Sequence, residues 1–179
     1  MRKSIFRRFG IGLLATILLS AAASFVLFAV RDSAGVTGLG AMHVPAGFKV
    51  ELAAGPELSS YPMMGTFDDR GRLFVAESSG NTLNDAQMKQ HPDYKIRLLE
   101  DRDGDGVFDH SQVFADHLTL PAGAVWYRNA LYVASPPDLL RFQDTDGDGV
   151  ADRREVVVTG WTMSSNAASL PGSFFGPDG

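Results

Sequence analysis

The sequence contains no cysteine, so it holds no disulfide, thiolate metal site, haem-attachment motif or lipoprotein anchor. Acidic residues are absent before Asp32. After Arg31 no stretch carries a long apolar stripe at helical spacing, which argues against a helical bundle. HExxH, HxH, GxSxG and GxxxxGK[ST] are also missing, which removes the motif-defined zinc hydrolases, serine hydrolases and P-loop proteins. What is present is a composition of 45% apolar and 21% charged residues, ordinary for a folded globular chain.

The N-terminus departs from that average. Arg2, Lys3, Arg7 and Arg8 precede residues 10–30, a run without a charged side chain. About 21 residues at about 1.5 Å per residue make roughly 30 Å of helix, the thickness of a bilayer core. The basic cluster stays cytoplasmic, so the chain after Arg31 is expected outside the membrane. A cleaved signal peptide is the alternative, since Ser20, Ala21, Ala22 and Ala23 are small residues near a plausible cut; the product would then be secreted. The expected organisation is an anchor or signal over 1–31, a linker over 32–46, and a folded domain over 47–179. With Arg2, Lys3, Arg7, Arg8 and Arg31 set apart from the 16 basic residues, 11 remain against 21 acidic ones. Such an acidic domain is not expected to bind nucleic acid.

Sliding the sequence along itself exposes a repeat. Ile96 to Asp109 recurs as Leu139 to Asp152, an offset of about 43 residues that suits propeller blades and similar arrays. Gly71-Arg72-Leu73-Phe74-Val75-Ala76 resembles Asn129-Ala130-Leu131-Tyr132-Val133-Ala134. That offset is about 58, so the first unit carries roughly 15 extra residues, over 80–94, where loop insertions are expected. Within the units the period is two: Phe48, Lys49, Val50, Glu51 and Leu52 alternate as a half-buried strand would. Residues 72–76, 130–134 and 155–159 are further β-rich runs closed by turns. An all-β fold is expected, a partial β-propeller with about two blades present, with a sandwich or barrel second. Phe175-Gly176-Pro177-Asp178-Gly179 has the turn character of Phe67-Asp68-Asp69-Arg70-Gly71. A little over two units cannot close a ring without leaving open edges, so a fragment of a larger propeller is expected.

The repeat carries two aspartate loops. Asp101, Asp103, Asp105 and Asp109 occupy positions 1, 3, 5 and 9 of a calcium loop, and Gly106 occupies position 6. Asp144, Asp146, Asp148 and Asp152 repeat the pattern, with Gly149 at position 6 and Glu155 at position 12. A hard cation takes six to eight oxygens at about 2.3–2.6 Å, which alternate carboxylates around a glycine turn can supply. Gln112 stands at position 12 of the first loop, so weaker binding is expected there. Metal-free Asp-Gly turns are the alternative. The flanks read as strands, which makes the predicted role structural.

Candidates for catalysis are few. His43, His91, His110 and His117 are the only histidines, and none belongs to a recognised pattern. Glu77 and Ser78 close a strand whose end feeds a loop face, where a structural hydrogen bond is the leading expectation. Trp126 and Trp161 read as packing residues. No catalytic or cofactor-binding residue is assigned.

Gly71-Arg72-Leu73-Phe74-Val75-Ala76-Glu77-Ser78, the two Asp-Gly-Asp-Gly loops, Leu120-Pro121-Ala122-Gly123 with Leu131-Tyr132-Val133-Ala134, and the final Gly-Pro-Asp-Gly resemble the N-terminal propeller of planctomycete-type membrane-bound dehydrogenases. Those proteins are similar to the glucose/sorbosone dehydrogenase class. The resemblance implies a six-bladed propeller when complete, pyrroloquinoline quinone (PQQ) as cofactor, a sugar or alcohol substrate, and a cytochrome acceptor. That class uses a histidine base; here residues 166–173, before the Gly-Pro-Asp-Gly turn, contain none. A non-catalytic, calcium-stabilised propeller binding carbohydrate or protein at the cell surface is the alternative function.

Overall fold

A computed structural model describes residues 38–163 and 170–178. The predicted anchor or signal over 1–31 lies outside the described residues. Among those described, no helix is long and apolar enough to cross a membrane. The chain divides into two units, Met1–Glu51 and Leu52–Gly179. The described part of the first holds a 3-10 turn, Gly38–Ala41, and a turn closed by Phe48 N–H on the Pro45 carbonyl at 3.1 Å.

The alternation over residues 48–52 does not become a strand. Phe48 is 73% exposed and Leu52 54%. A period of two decides which side chains share a face, but a strand also needs a neighbour for its N–H and C=O groups.

The second unit is all-β. Its strands are β1 (Pro62–Phe67), β2 (Leu73–Glu77), β3 (Tyr94–Glu100), β4 (His110–Leu118), β5 (Gly123–Tyr127), β6 (Ala130–Ser135), β7 (Asp138–Gln143) and β8 (Arg153–Thr159). They form two four-stranded antiparallel sheets, β1-β2-β3-β4 and β5-β6-β7-β8, each in simple sequence order. Local chemistry sets the turns. Between β1 and β2, both the Arg70 and Arg72 N–H groups donate to Asp68 Oδ1 at 2.9 Å, and Gly71 takes a φ of 81°. Between β5 and β6, Arg128 and Asn129 both have positive φ, 47° and 55°, the two-residue geometry whose twist suits a hairpin.

The repeat read from the sequence is a repeat of sheets. In the first sheet Ile96 faces Ala115 and Arg97 faces Val113, which leaves Phe114 as an extra, bulged residue. In the second Leu139 faces Val158 and Leu140 faces Val156, which leaves Val157 bulged. The residues between β2 and β3 have no counterpart between β6 and β7. They include α1 (Asp85–Gln90), a helix the sequence reading did not anticipate. Asn84 Oδ1 accepts the Gln87 N–H at 3.0 Å, and Gln87 Oε1 accepts the Asn84 N–H at 2.9 Å. Such reciprocal caps let a single turn form. Met88, 1% exposed, ties it to the core.

The core lies between the sheets. Phe74 meets Phe114 edge-on at 4.8 Å, and Trp126 stacks on Phe74 at 5.4 Å. Leu98, Leu118, Leu131, Val133 and Leu140 complete its interior. Leu73 to Ala76 read as a continuous apolar run because β2 is buried on both faces; Glu77, which ends it, is buried as well.

Candidate functional site

Each aspartate loop joins the third and fourth strands of its sheet. In the first, one oxygen from each of Asp101, Asp103 and Asp105 falls within 4.8 Å of the others. Asp144, Asp146 and Asp148 do the same in the second. The backbone explains the clustering. Asp101 accepts the Gly104 N–H at 2.7 Å and the Gly106 N–H at 2.9 Å. Asp144 accepts those of Gly147 and Gly149 at the same two distances. All four glycines have positive φ, between 76° and 93°, a region open to glycine at little steric cost. The Gly106 N–H outweighs partial desolvation and, with the Gly104 N–H, holds the Asp101 carboxyl below its ordinary value.

The remaining sequence-predicted ligands stand apart from these clusters. Asp109 accepts the Arg102 N–H at 3.1 Å, and Asp152 accepts that of Thr145 at 3.2 Å. Both therefore tie the base of their hairpin. Glu155 lies on β8 and pairs with Arg141 across the ladder at 2.9 Å. Gln112 donates from β4 to the Asp148 carbonyl at 2.8 Å, so it serves the second loop and not the first. Helical winding would return position 12 to the ion; a strand leaving the loop carries that position away.

Gln112 belongs to a contact between sheets that the sequence reading missed. The Ala151 N–H donates to the bulged Phe114 carbonyl at 2.8 Å. Arg154 reaches the Asp116 and His117 carbonyls, each at 3.3 Å. A groove of about 290 Å³ runs beside this junction, lined by Phe114, Asp116, Phe142 and Arg154 among others. The two loops thus differ in setting. A methyl group on Gly149 would overlap the Gln112 amide, whereas one on Gly106 would meet nothing within 4 Å. Gly106→Ala is expected to cost about 1–2 kcal/mol of left-handed strain. Gly149→Ala should cost about 2–4 kcal/mol, because it also displaces Gln112 and its hydrogen bond. Urea unfolding of both variants checks the order; equal losses would mean the Gln112 contact contributes nothing.

At the other strand end, Glu77 is fully buried. Its Oε1 accepts the Ser60 N–H and the Arg97 Nε, both at 2.8 Å, and Lys95 Nζ lies 3.4 Å from Oε2. Arg97 also donates to Ser111 Oγ at 3.2 Å. Burial raises the Glu77 pKa, but the bonds from Arg97 and the Ser60 N–H outweigh it and leave the carboxyl below its ordinary value. Ser78 donates its N–H to the Tyr61 carbonyl at 3.1 Å. This is a structural arrangement, with the carboxylate turned to the backbone of the preceding segment. The histidines are dispersed: His43 is exposed, His91 ends α1, His110 opens β4, and His117 pairs with Asp116 at 2.7 Å. Trp126 packs on the core, and Trp161 N–H bonds the Pro137 carbonyl at 3.2 Å.

A family model described as a domain of unknown function, DUF7133, matches residues 37–179. No curated protein and no solved structure matches the chain.

Proposed function

The chain belongs to the DUF7133 family of domains, and we propose that it supplies two consecutive blades of an extracytoplasmic β-propeller whose aspartate loops hold calcium. The observation that carries this reading is the pair of three-carboxylate clusters at the same place in two successive sheets. Simple up-and-down sheets repeated side by side suit a propeller. The N-terminal apolar run is proposed as the membrane anchor that keeps the domain outside.

The donor set fits a hard cation in part. Asp101, Asp103 and Asp105 would hold one ion, and Asp144, Asp146 and Asp148 a second, with a position-7 carbonyl and water completing the oxygens. Bound calcium neutralises carboxylates that otherwise repel, and so fixes the hairpin. Asp109 and Asp152 support the loops through backbone amides. Glu155 would join only by leaving Arg141.

For the intact ring we propose a dehydrogenase-like role toward a sugar or alcohol, with PQQ as cofactor and a cytochrome as acceptor, by the resemblance given above. The residues of these two sheets do not fit the quinone. Of the basic residues on the strands, Arg97 and Lys95 are held by Glu77, Arg141 by Glu155 and Arg154 by backbone carbonyls, while Arg153 is exposed on the outer strand β8. No chemical step is placed on them. A non-catalytic surface module binding carbohydrate or protein is the second reading. It is favoured by the structural engagement of Glu77, the acid that closes β2.

Calcium titration of the chelator-stripped full chain in detergent tests the proposal. At about 100 times Kd, the stabilisation is about 2.7 kcal/mol, or roughly 5–10 °C in Tm. Asp144→Asn should remove the response of the second loop and leave that of the first. Absence of both heat and Tm change at millimolar calcium would overturn it.

A further inference from the structure

We propose that residues 49–54 are the outer strand of the blade that closes the ring against the first sheet. The inference rests on the two-blade reading and names the segment that completes that ring.

The junction between the two sheets provides the template, and two of its bonds recur between the first sheet and the segment before it. In the template the Ala151 N–H, past the second aspartate loop, donates to the bulged Phe114 carbonyl of β4 at 2.8 Å. Its counterpart Phe108, past the first loop, donates to the Ala53 carbonyl, also at 2.8 Å. On the way from β4 to β5, the Thr119 N–H donates at 3.2 Å to the hydroxyl of Ser135, which ends β6. The equivalent bond runs from the Ser60 N–H at 2.8 Å to the carboxylate of Glu77, which ends β2. Ala53 therefore holds the place of Phe114, and the segment from it to β1 holds the place of the one from β4 to β5. That segment is two residues longer, Ala53 to Ser60 against Phe114 to Thr119, and includes a turn closed by the Leu58 N–H on the Gly55 carbonyl at 3.1 Å.

The sequence agrees with that placement. Glu51-Leu52-Ala53 repeats the polar, apolar, apolar order of Gln112-Val113-Phe114 on β4 and Glu155-Val156-Val157 on β8. The alternation from Phe48 to Leu52 is then the signal of an outer strand whose neighbour belongs to another blade. That neighbour is not among β1 to β8, which already make two four-stranded sheets. Nor does it come before the segment: with residues 10–30 as the proposed anchor, only 31–47 precede it outside the membrane. That is too short for three strands of about five residues each and their turns. The partner is therefore a later, three-stranded sheet of the same ring, short of its own outer strand. Pairing with it would close the ring through backbone hydrogen bonds and leave neither sheet edge open.

Amide hydrogen exchange of the full-length protein, in detergent with calcium, tests this. An outer strand turns alternate N–H groups toward its neighbour. Over residues 49–54, alternate amides should therefore exchange about a hundredfold more slowly than those between them. Val50→Pro and Glu51→Pro should differ in the same way. The one that removes an inward N–H lowers Tm, and the other, facing solvent, leaves it nearly unchanged. Uniformly fast exchange over 49–54, or equal Tm values for the two variants, would each overturn the proposal. A normal calcium response with fast exchange would reject the closure alone; slow alternate amides without a calcium response would reject the calcium reading alone.

Discussion

Replacing Glu77 with alanine is expected to destabilise the domain by about 3–5 kcal/mol, the usual loss when one partner of a buried ion pair is removed. The carboxylate is fully buried and binds three groups from two segments: the Ser60 N–H, Arg97 and Lys95. Without it Arg97 keeps only Ser111 Oγ, and the Ser60 N–H loses its acceptor. Glu77→Gln retains an oxygen for Ser60 but no charge for Arg97, and should lose about 1.5–3 kcal/mol. Denaturant unfolding orders the variants; a Glu77→Ala loss below about 1 kcal/mol would show the cluster to be incidental. Acid unfolding gives an independent check. The folded-state pKa of Glu77 lies below its ordinary 4.5. Its contribution is therefore complete above that value and disappears as pH falls through the folded-state pKa. Glu77→Gln should flatten this acid arm of the stability profile, with little change in shape near neutrality.

Phe74→Ala should be of similar size, about 3–5 kcal/mol, as for other large aromatic truncations in cores. Phe74 is 1% exposed and belongs to the first sheet, yet it stacks on Trp126 of the second. It is also edge-on to Phe114, whose carbonyl anchors the second loop. Aromatic pairs add about 0.5–1.5 kcal/mol beyond buried area. The truncation thus removes the ring about which the sheets meet, and should broaden the thermal transition as their unfolding separates. Phe74→Leu, nearer in volume, should lose less and keep a single transition. A sharp, wild-type-like transition for Phe74→Ala would show that the sheets cohere through the loop contact alone.

The sequence made the all-β class, the repeat and the loop clusters legible because each rests on local periodicity. The offset between Asp101 and Asp144 fell on equivalent hairpins, and the extra residues over 80–94 fell between β2 and β3 except for Tyr94, which opens β3. Three features were not legible. The alternation from Phe48 to Leu52 is a strand signal with no strand behind it, since pairing is a property of the neighbour. α1 was hidden by its polar surroundings, though Asn84 followed by Gln87 is a helix-start signal that could have been read. The use of Gln112 was misplaced because ligand position 12 was counted along one chain segment. In the fold that residue belongs to the facing sheet's loop, and no spacing rule contains such a contact.

The simple order of strands in each sheet has a consequence for how the chain reaches its native state. Every ladder joins segments adjacent in sequence, so each sheet can assemble through local hairpins before the other exists. The docking of Ala151 on Phe114 and the stacking of Trp126 on Phe74 then unite two preformed parts. An array built this way grows by addition at its ends, and a unit can be duplicated or lost without redrawing the pairing inside its neighbours.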